Sequence, residues 1–247
     1  MYNYKIILKY DGTRYSGWQK NKNATDTIQE KLETLLSKLF DEKVDVIGSG
    51  RTDKGVHALG QVANFHVSEQ IDAYQLQKDI NHYLPDDIGV ISCEEVPEQF
   101  HSRLKAKSKT YRYTFYKEYR GTKPVFERKY MTSLDRKLDV KAMERAIPFL
   151  VGEHDFKGFS SDKTKKTTTR TIESISIVEN DETIVFEFVG NGFLHFMVRI
   201  LVGTLVEIGL GKRKTKTIGN IFENKVREEA GYLVPAEGLA LVEVKYD

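Results

Sequence analysis

Two hydrophobic periods alternate along this chain, and their order narrows the fold to very few topologies. Within residues 4–10, Ile6, Leu8 and Tyr10 fall on one side and Lys5 and Lys9 on the other, the two-residue period of a half-buried strand. The period then lengthens: Ile28, Leu32, Leu35, Leu36 and Leu39 recur at helical intervals, and Thr27 and Glu30 have the spacing of a capping box. Strands are expected next at 44–47 and 61–67. Asp72 is placed to cap a second helix carrying Leu76, Ile80 and Leu84, which the Pro85, Asp86, Asp87 turn ends before a strand at 88–93.

That order is βαββαβ, and it reads a second time. A strand at 110–116 precedes a helix at 140–150, strands at 170–178 and 183–189, a helix at 194–208 and a last strand at 239–246. The expected fold is α+β, with two ferredoxin-like halves of mixed or antiparallel sheet at 1–105 and 106–247. Pro148 sits awkwardly in the third helix, because it lacks a donor and clashes with the preceding turn. Ile218, Ile221 and Phe222 suggest one additional helix without a counterpart in the first half. The duplication rests on element order; no residue-level repeat accompanies it.

Composition removes several function classes. With 40% hydrophobic and 30% charged residues the chain has the balance of a globular protein with a real core. No apolar run reaches the ~18 residues of a membrane span, and the opening MYNYKIILKY lacks the features of a signal peptide, so a cytoplasmic protein is expected. One cysteine, Cys93, excludes an internal disulfide and points to a small core residue. The six histidines stand apart, with no HExxH, so no metal is expected.

Net charge is only +2, but the basic residues are blocked together at 103–112 (RLKAKSKTYR), 163–170 (KTKKTTTR) and 212–216 (KRKTK). Such blocks can hold phosphates by counterion release, which makes Arg112, Lys165, Lys166, Lys212, Arg213 and Lys214 candidate contacts to a nucleic-acid backbone. Any one block alone reads equally as a solvated loop.

The chemistry concentrates between the second and third strands, in Gly48-Ser-Gly-Arg-Thr-Asp-Lys-Gly-Val-His-Ala58. Here one carboxylate, Asp53, lies between Arg51 and Lys54 among glycines that permit positive φ and close approach of a ligand. Neighbouring cations favour the ionised acid. Alone, the stretch also describes a tight turn with a capping aspartate. In the full chain, GRTDKGVHA resembles the catalytic motif of the TruA family of pseudouridine synthases. Further segments match it in order: Tyr10-Asp11-Gly12 with Ser16 to Gln19 (YDG…SGWQ), FHSR at 100–103, TYRY at 110–113, GEHDF at 152–156, FLHFMVRILVG at 193–203 and PAEGL at 235–239.

The resemblance implies a pseudouridine synthase fold and an enzyme without metal or organic cofactor. It would isomerise uridine in the anticodon stem and loop of tRNA, positions 38 to 40, by breaking the N1–C1′ bond, turning the base and joining C5 to C1′. The catalytic aspartate of the family matches Asp53. Tyr111 matches the tyrosine that stacks on the target uracil, an apt role because every base offers a π face; by position alone it is a strand tyrosine facing the core. Arg199 matches the arginine that pairs with the catalytic carboxylate, and a guanidinium inside FMVRILVG needs a partner or must snorkel outward. Arg51 matches the arginine that helps extrude the nucleotide, while Lys54 is a further backbone candidate. Leu239 matches a residue lining the uracil pocket and is equally the first residue of the last strand. A homodimer is the family's implied assembly.

The chain departs from the family spelling in places. Phe196 and Ile200 stand where many members have a histidine before Met197 and an asparagine after Arg199, and Ser102 replaces a common alanine. These changes leave the proposed reactive groups intact but open the choice of uridine to another tRNA position or rRNA. Two readings from other classes compete. A non-catalytic RNA-binding protein would present Tyr111, Tyr113 and Phe115 to bases. A nucleoside hydrolase would need a second acid, for which Asp11 is the candidate.

Overall fold

The computed structural model of the chain describes residues 1–21, 25–162 and 167–246. It holds ten strands and five α-helices among these residues, an α+β fold that divides into two compact units, Met1–Lys107 with Ala240–Asp247 and Ser108–Leu239.

In the first unit the elements run β1 (Tyr2–Tyr10), α1 (Ile28–Leu39), β2 (Val46–Gly48), β3 (His57–Val67), α2 (Ala73–Tyr83) and β4 (Ile88–Val96), the expected βαββαβ. β1 pairs antiparallel with both β3 and β4, and β2 pairs antiparallel with β3. The two helices are fixed by local chemistry. Thr27 accepts from the Glu30 N–H, while Glu30 reaches back to the N–H of Asp26, one residue earlier than in an ordinary capping box. Asp72 accepts from the Gln75 N–H to start α2. Ile28, Leu32 and Leu36 of α1 are fully buried with Leu76 and Ile80 of α2, and each such side chain contributes about 1.5–3 kcal/mol of burial energy. On the opposite face of β1 and β3 sit Asn3 and Asn64, which bind one another and the backbone of Phe100. Asn64 also accepts from the N–H of Ser102, docking the FHSR segment on the sheet.

The last strand, β10 (Leu239–Lys245), explains why the C-terminal residues belong to this unit. Ala240 and Leu241 pair in parallel with His57 and Ala58 at the start of β3, beyond the part of β3 that β2 covers. Gly60 permits this approach, because a Cβ there would lie 2.4 Å from the carbonyl oxygen of Val242. Periodicity marks the strand but is silent on its partner.

The second unit contains β5 (Ser108–Tyr116), β6 (Thr132–Ser133), α3 (Val140–Glu144), β7 (Gly152–Asp155), β8 (Thr169–Glu179), β9 (Thr183–Gly190), α4 (Met197–Gly209) and α5 (Thr217–Asn224). β9 pairs antiparallel with β5 and β8, β8 with β7, and β6 lies parallel to β5. The helix expected at 140–150 ends at Glu144; a 3-10 turn, Ile147–Phe149, follows with Pro148 in it, as a proline without a donor requires. The helix expected from residue 194 starts at Met197, because Phe196 before it is left-handed at φ 62°. α4 is buried almost all round, with Glu207 its one residue outside the buried set. Its core includes Tyr113, Phe115, Phe186 and Phe188.

Candidate active site

The loop from β2 to β3 carries Asp53, and the YDG…SGWQ segment explains its shape. The Trp18 N–H donates to the Thr52 carbonyl at 3.0 Å, and the buried Tyr10 hydroxyl lies 2.8 Å from Thr52 Oγ1. On the far side of Asp53, the Val56 N–H closes a turn onto the Asp53 carbonyl at 3.1 Å, with Gly55 at φ +79°. Gln61 joins the two ends of the loop: it accepts from Ser49 Oγ at 2.6 Å and donates to the Gly50 carbonyl at 3.1 Å. The backbone around Asp53 is therefore fixed by buried hydrogen bonds, each worth about 1 kcal/mol net and more where the loss would strand a buried group.

Two glycines let the segment come this close. A Cβ on Gly12 would lie 2.0 Å from the Val56 carbonyl oxygen, and one on Gly17, already at φ +93°, would lie 2.7 Å from that of Thr52. The Gly12 N–H donates to His57 Nδ1 at 3.0 Å, so the ring proton is placed on Nε2. Asp11 Oδ1 stands 3.4 Å from the same Nδ1. Asp11 also caps the turn Gly12–Arg14 through the Thr13 N–H.

Burial pushes the Tyr10 hydroxyl up to about 12, against the opposing hydrogen bonds of Thr52 and Gln61. It therefore stays a protonated hydrogen-bonding group across the physiological range. Arg51 is exposed, and its Nε donates to Gln19 Oε1 at 3.0 Å; Lys54 is exposed beside it.

The second unit places its own set. Tyr111 on β5 is 8% exposed and meets Phe193 edge to face, with ring centroids 5.2 Å apart. Tyr113, which faces the core, donates from its hydroxyl to the Pro235 carbonyl at 2.9 Å and lies 2.6 Å from Thr132 Oγ1; burial raises it. That anchor holds the PAEGL segment, where a Cβ on Gly238 would lie 2.6 Å from the Tyr113 ring and Leu239 is buried.

Arg199, in the first turn of α4, is only 9% exposed. Its Nε donates to the Val234 carbonyl at 2.8 Å, and its guanidinium carbon lies 5.1 Å over the Phe196 ring. At this burial the side chain does not snorkel outward. Phe196 thus faces the guanidinium in a cation–π contact.

The basic candidates separate by environment. Arg112 is half-exposed and paired across β5 and β9 with Glu187 at 3.0 Å. Arg213 is held by Glu207 at 2.8 Å and by the Glu229 carbonyl at 2.7 Å, whereas Lys212 and Lys214 beside it are exposed. Lys165 and Lys166 lie outside the described residues. Ser102, the departure from alanine, is fully buried and donates to the Ile47 carbonyl in the middle of β2, so its added oxygen is satisfied. Sequence reasoning quoted Gln19 within SGWQ without a role for it; only its distance to Arg51 reveals one.

Comparison with known proteins covers most of these segments, the family profile leaving out TYRY at 110–113. The profile of a family described as tRNA pseudouridine synthase matches residues 6–104 and 146–247. The chain is 47% identical over 247 residues to the tRNA pseudouridine synthase A of Bacillus sp. (strain KSM-64) and to that of Acetivibrio thermocellus, with 100% of each chain covered. It is 43% identical, again over the full length of both, to tRNA pseudouridine synthase A 2 of Bacillus cereus (strain ATCC 14579).

Proposed function

Since this chain belongs to the tRNA pseudouridine synthase family, we propose that it isomerises uridine to pseudouridine in the anticodon stem and loop of tRNA, with Asp53 as the catalytic carboxylate. The supporting observation is the pinned loop: Asp53 lies between a carbonyl held by Trp18 and a turn closed by Val56, inside the motif that carries the resemblance. A loop fixed in this way holds the backbone of the reacting residue in place before substrate arrives.

In this reading Arg51 helps extrude the target nucleotide, which costs roughly a few kcal/mol of unstacking. Tyr111 stacks on the extruded uracil and Leu239 lines its pocket. Arg199, taken out of water, is the cationic partner that keeps the Asp53 carboxylate ionised and oriented. The N1–C1′ bond breaks, the base turns, C5 bonds to C1′, and C5 gives up its proton while N1 gains one. Lys54, Arg112, Lys165, Lys166, Lys212, Arg213 and Lys214 are proposed to meet the RNA backbone, with Lys212 and Lys214 the exposed pair of their block. The protein is proposed to act in the cytoplasm as a homodimer. No helix among the described residues is long and apolar enough to cross a membrane.

Product analysis tests the reaction. Purified protein given unmodified tRNA transcript should form pseudouridine with RNA mass unchanged. Release of free uracil would instead make it a hydrolase, and tight binding without conversion would make it an RNA-binding protein.

A further inference from the structure

We propose that Gln19 is a positioning residue for Arg51, and that it acts on the extrusion of paired uridines through a chain of hydrogen bonds ending on the buried carboxylate of Glu33. This rests on the assignment of Arg51 to nucleotide extrusion.

Arg51 is exposed and stands on a loop, where a long side chain has much rotamer entropy to lose. Gln19 Oε1 accepts from its Nε at 3.0 Å. The Gln19 amide is itself held, since its Nε2 donates to Gln29 Oε1 at 2.6 Å. Gln29 in turn donates to Glu33 Oε1 at 3.0 Å and to the Val46 carbonyl at 2.9 Å. Glu33 is 9% exposed and anchored by the Lys20 ammonium at 3.0 Å and the Val46 N–H at 3.3 Å.

Every link has a fixed direction. The Arg51 N–H can only donate, so Gln19 must present its oxygen; its NH2 must then point to Gln29, whose oxygen is also held by the Lys20 N–H at 3.0 Å. The series starts on the Glu33 carboxylate in α1 and ends on the exposed Arg51 cation, which restricts the guanidinium to fewer rotamers before RNA binds.

The hydrogen bonds of this series lead to Arg51 and not to the Asp53 carboxylate, so the expected effect falls on the step that needs Arg51. A target uridine in a base pair costs more to extrude than one opposite a mismatch. Loss of the Gln19 contact should therefore slow conversion of the paired target more than that of the mismatched one.

The test compares two unmodified RNA stem-loops that differ only in whether the target uridine is paired or mismatched. Single-turnover kcat/KM is measured for wild type, Arg51→Ala, Gln19→Leu, Gln19→Asn and Gln19→Glu, with melting temperatures alongside. Gln19→Asn keeps the amide but falls a methylene short, and serves if the leucine variant does not fold. The expected result is a paired-target loss exceeding the mismatched-target loss by about tenfold in Gln19→Leu and Gln19→Asn, in the same sense as Arg51→Ala. Gln19→Glu keeps an acceptor for Arg51 but sets a carboxylate oxygen against Gln29 Oε1, so it should discriminate as the other two Gln19 variants do; full recovery would remove the link to Glu33 from the account. Equal losses on both RNAs in Arg51→Ala would remove the extrusion role itself. A discriminating Arg51→Ala with non-discriminating Gln19→Leu and Gln19→Asn variants would overturn the positioning role alone. A general structural defect lowers both substrates together and cannot imitate the expected pattern.

Discussion

Gly12→Ala is the sharpest perturbation of the pinned loop, because it adds one methyl group and removes no functional atom. Gly12 is buried, and the new Cβ would lie 2.0 Å from the Val56 carbonyl oxygen and 2.6 Å from its carbon. Tolerable C···O approaches begin near ~3.3 Å, so the two segments must separate by more than ~1 Å. The obstacle is backbone, which cannot swing aside as a side-chain tip does, and the Gly12 N–H also holds His57. Overpacking of this kind costs typically 1–3 kcal/mol. For a chain of this size ~2 kcal/mol corresponds to a fall of roughly 4–8 °C in Tm.

The effect on activity should be larger than the effect on stability. Val56 closes the turn that Asp53 opens, so a shift of ~1 Å there displaces the carboxylate and should lower single-turnover pseudouridine formation on the order of 10²-fold. Gly121→Ala is the matched control. Gly121 has φ +86° with nothing within 4 Å of its Cβ, so alanine there strains the backbone by ~1–2 kcal/mol without touching the site. Conversion is measured on excess folded enzyme at a temperature below both melting points. Gly12→Ala retaining wild-type kcat/KM within about threefold would refute the inference that this segment sets the position of Asp53.

Two further outcomes follow from the same geometry. Tyr10→Phe should flatten the alkaline limb of stability: with the folded value up to about 12 and a free tyrosine near ~10, the contribution is complete below pH ~10 and lost as pH rises to about 12. Urea unfolding from pH 8 to 11 should show a slope shallower by up to one proton in the variant, and identical slopes would contradict the buried hydroxyl. Neutralising Lys212 and Lys214 together should weaken tRNA binding and reduce the log Kd against log salt slope by up to about two, as expected for two phosphate contacts. An unchanged slope would remove that block from the RNA surface.

Much of the fold was legible because its signals are local. The period of β1, the Thr27 and Asp72 caps and the buried rows of α1 and α2 all depend on neighbours within a turn or two. The short strands β6 and β7 were not, since two and four residues carry no usable period. Nor was the pairing of β10 with β3, a contact between residues far apart in sequence. The same division holds at the site. The motif around Asp53 could be read from residue types, but the roles of Gly12, Gly17 and Gln19 are distances to other segments. Arg213 looked like one more cation in a basic block, and its partners Glu207 and the Glu229 carbonyl lie outside that block.

The central claim is that the carboxylate at position 53 performs chemistry beyond any part it has in shaping the loop. Asp53→Asn keeps the size and the hydrogen-bonding backbone while removing the charge. Mapping of pseudouridine in unmodified tRNA after incubation with this variant should show no conversion, with tRNA affinity within about tenfold, or ~1.4 kcal/mol, of wild type. Conversion at a wild-type rate by the asparagine variant would contradict the account.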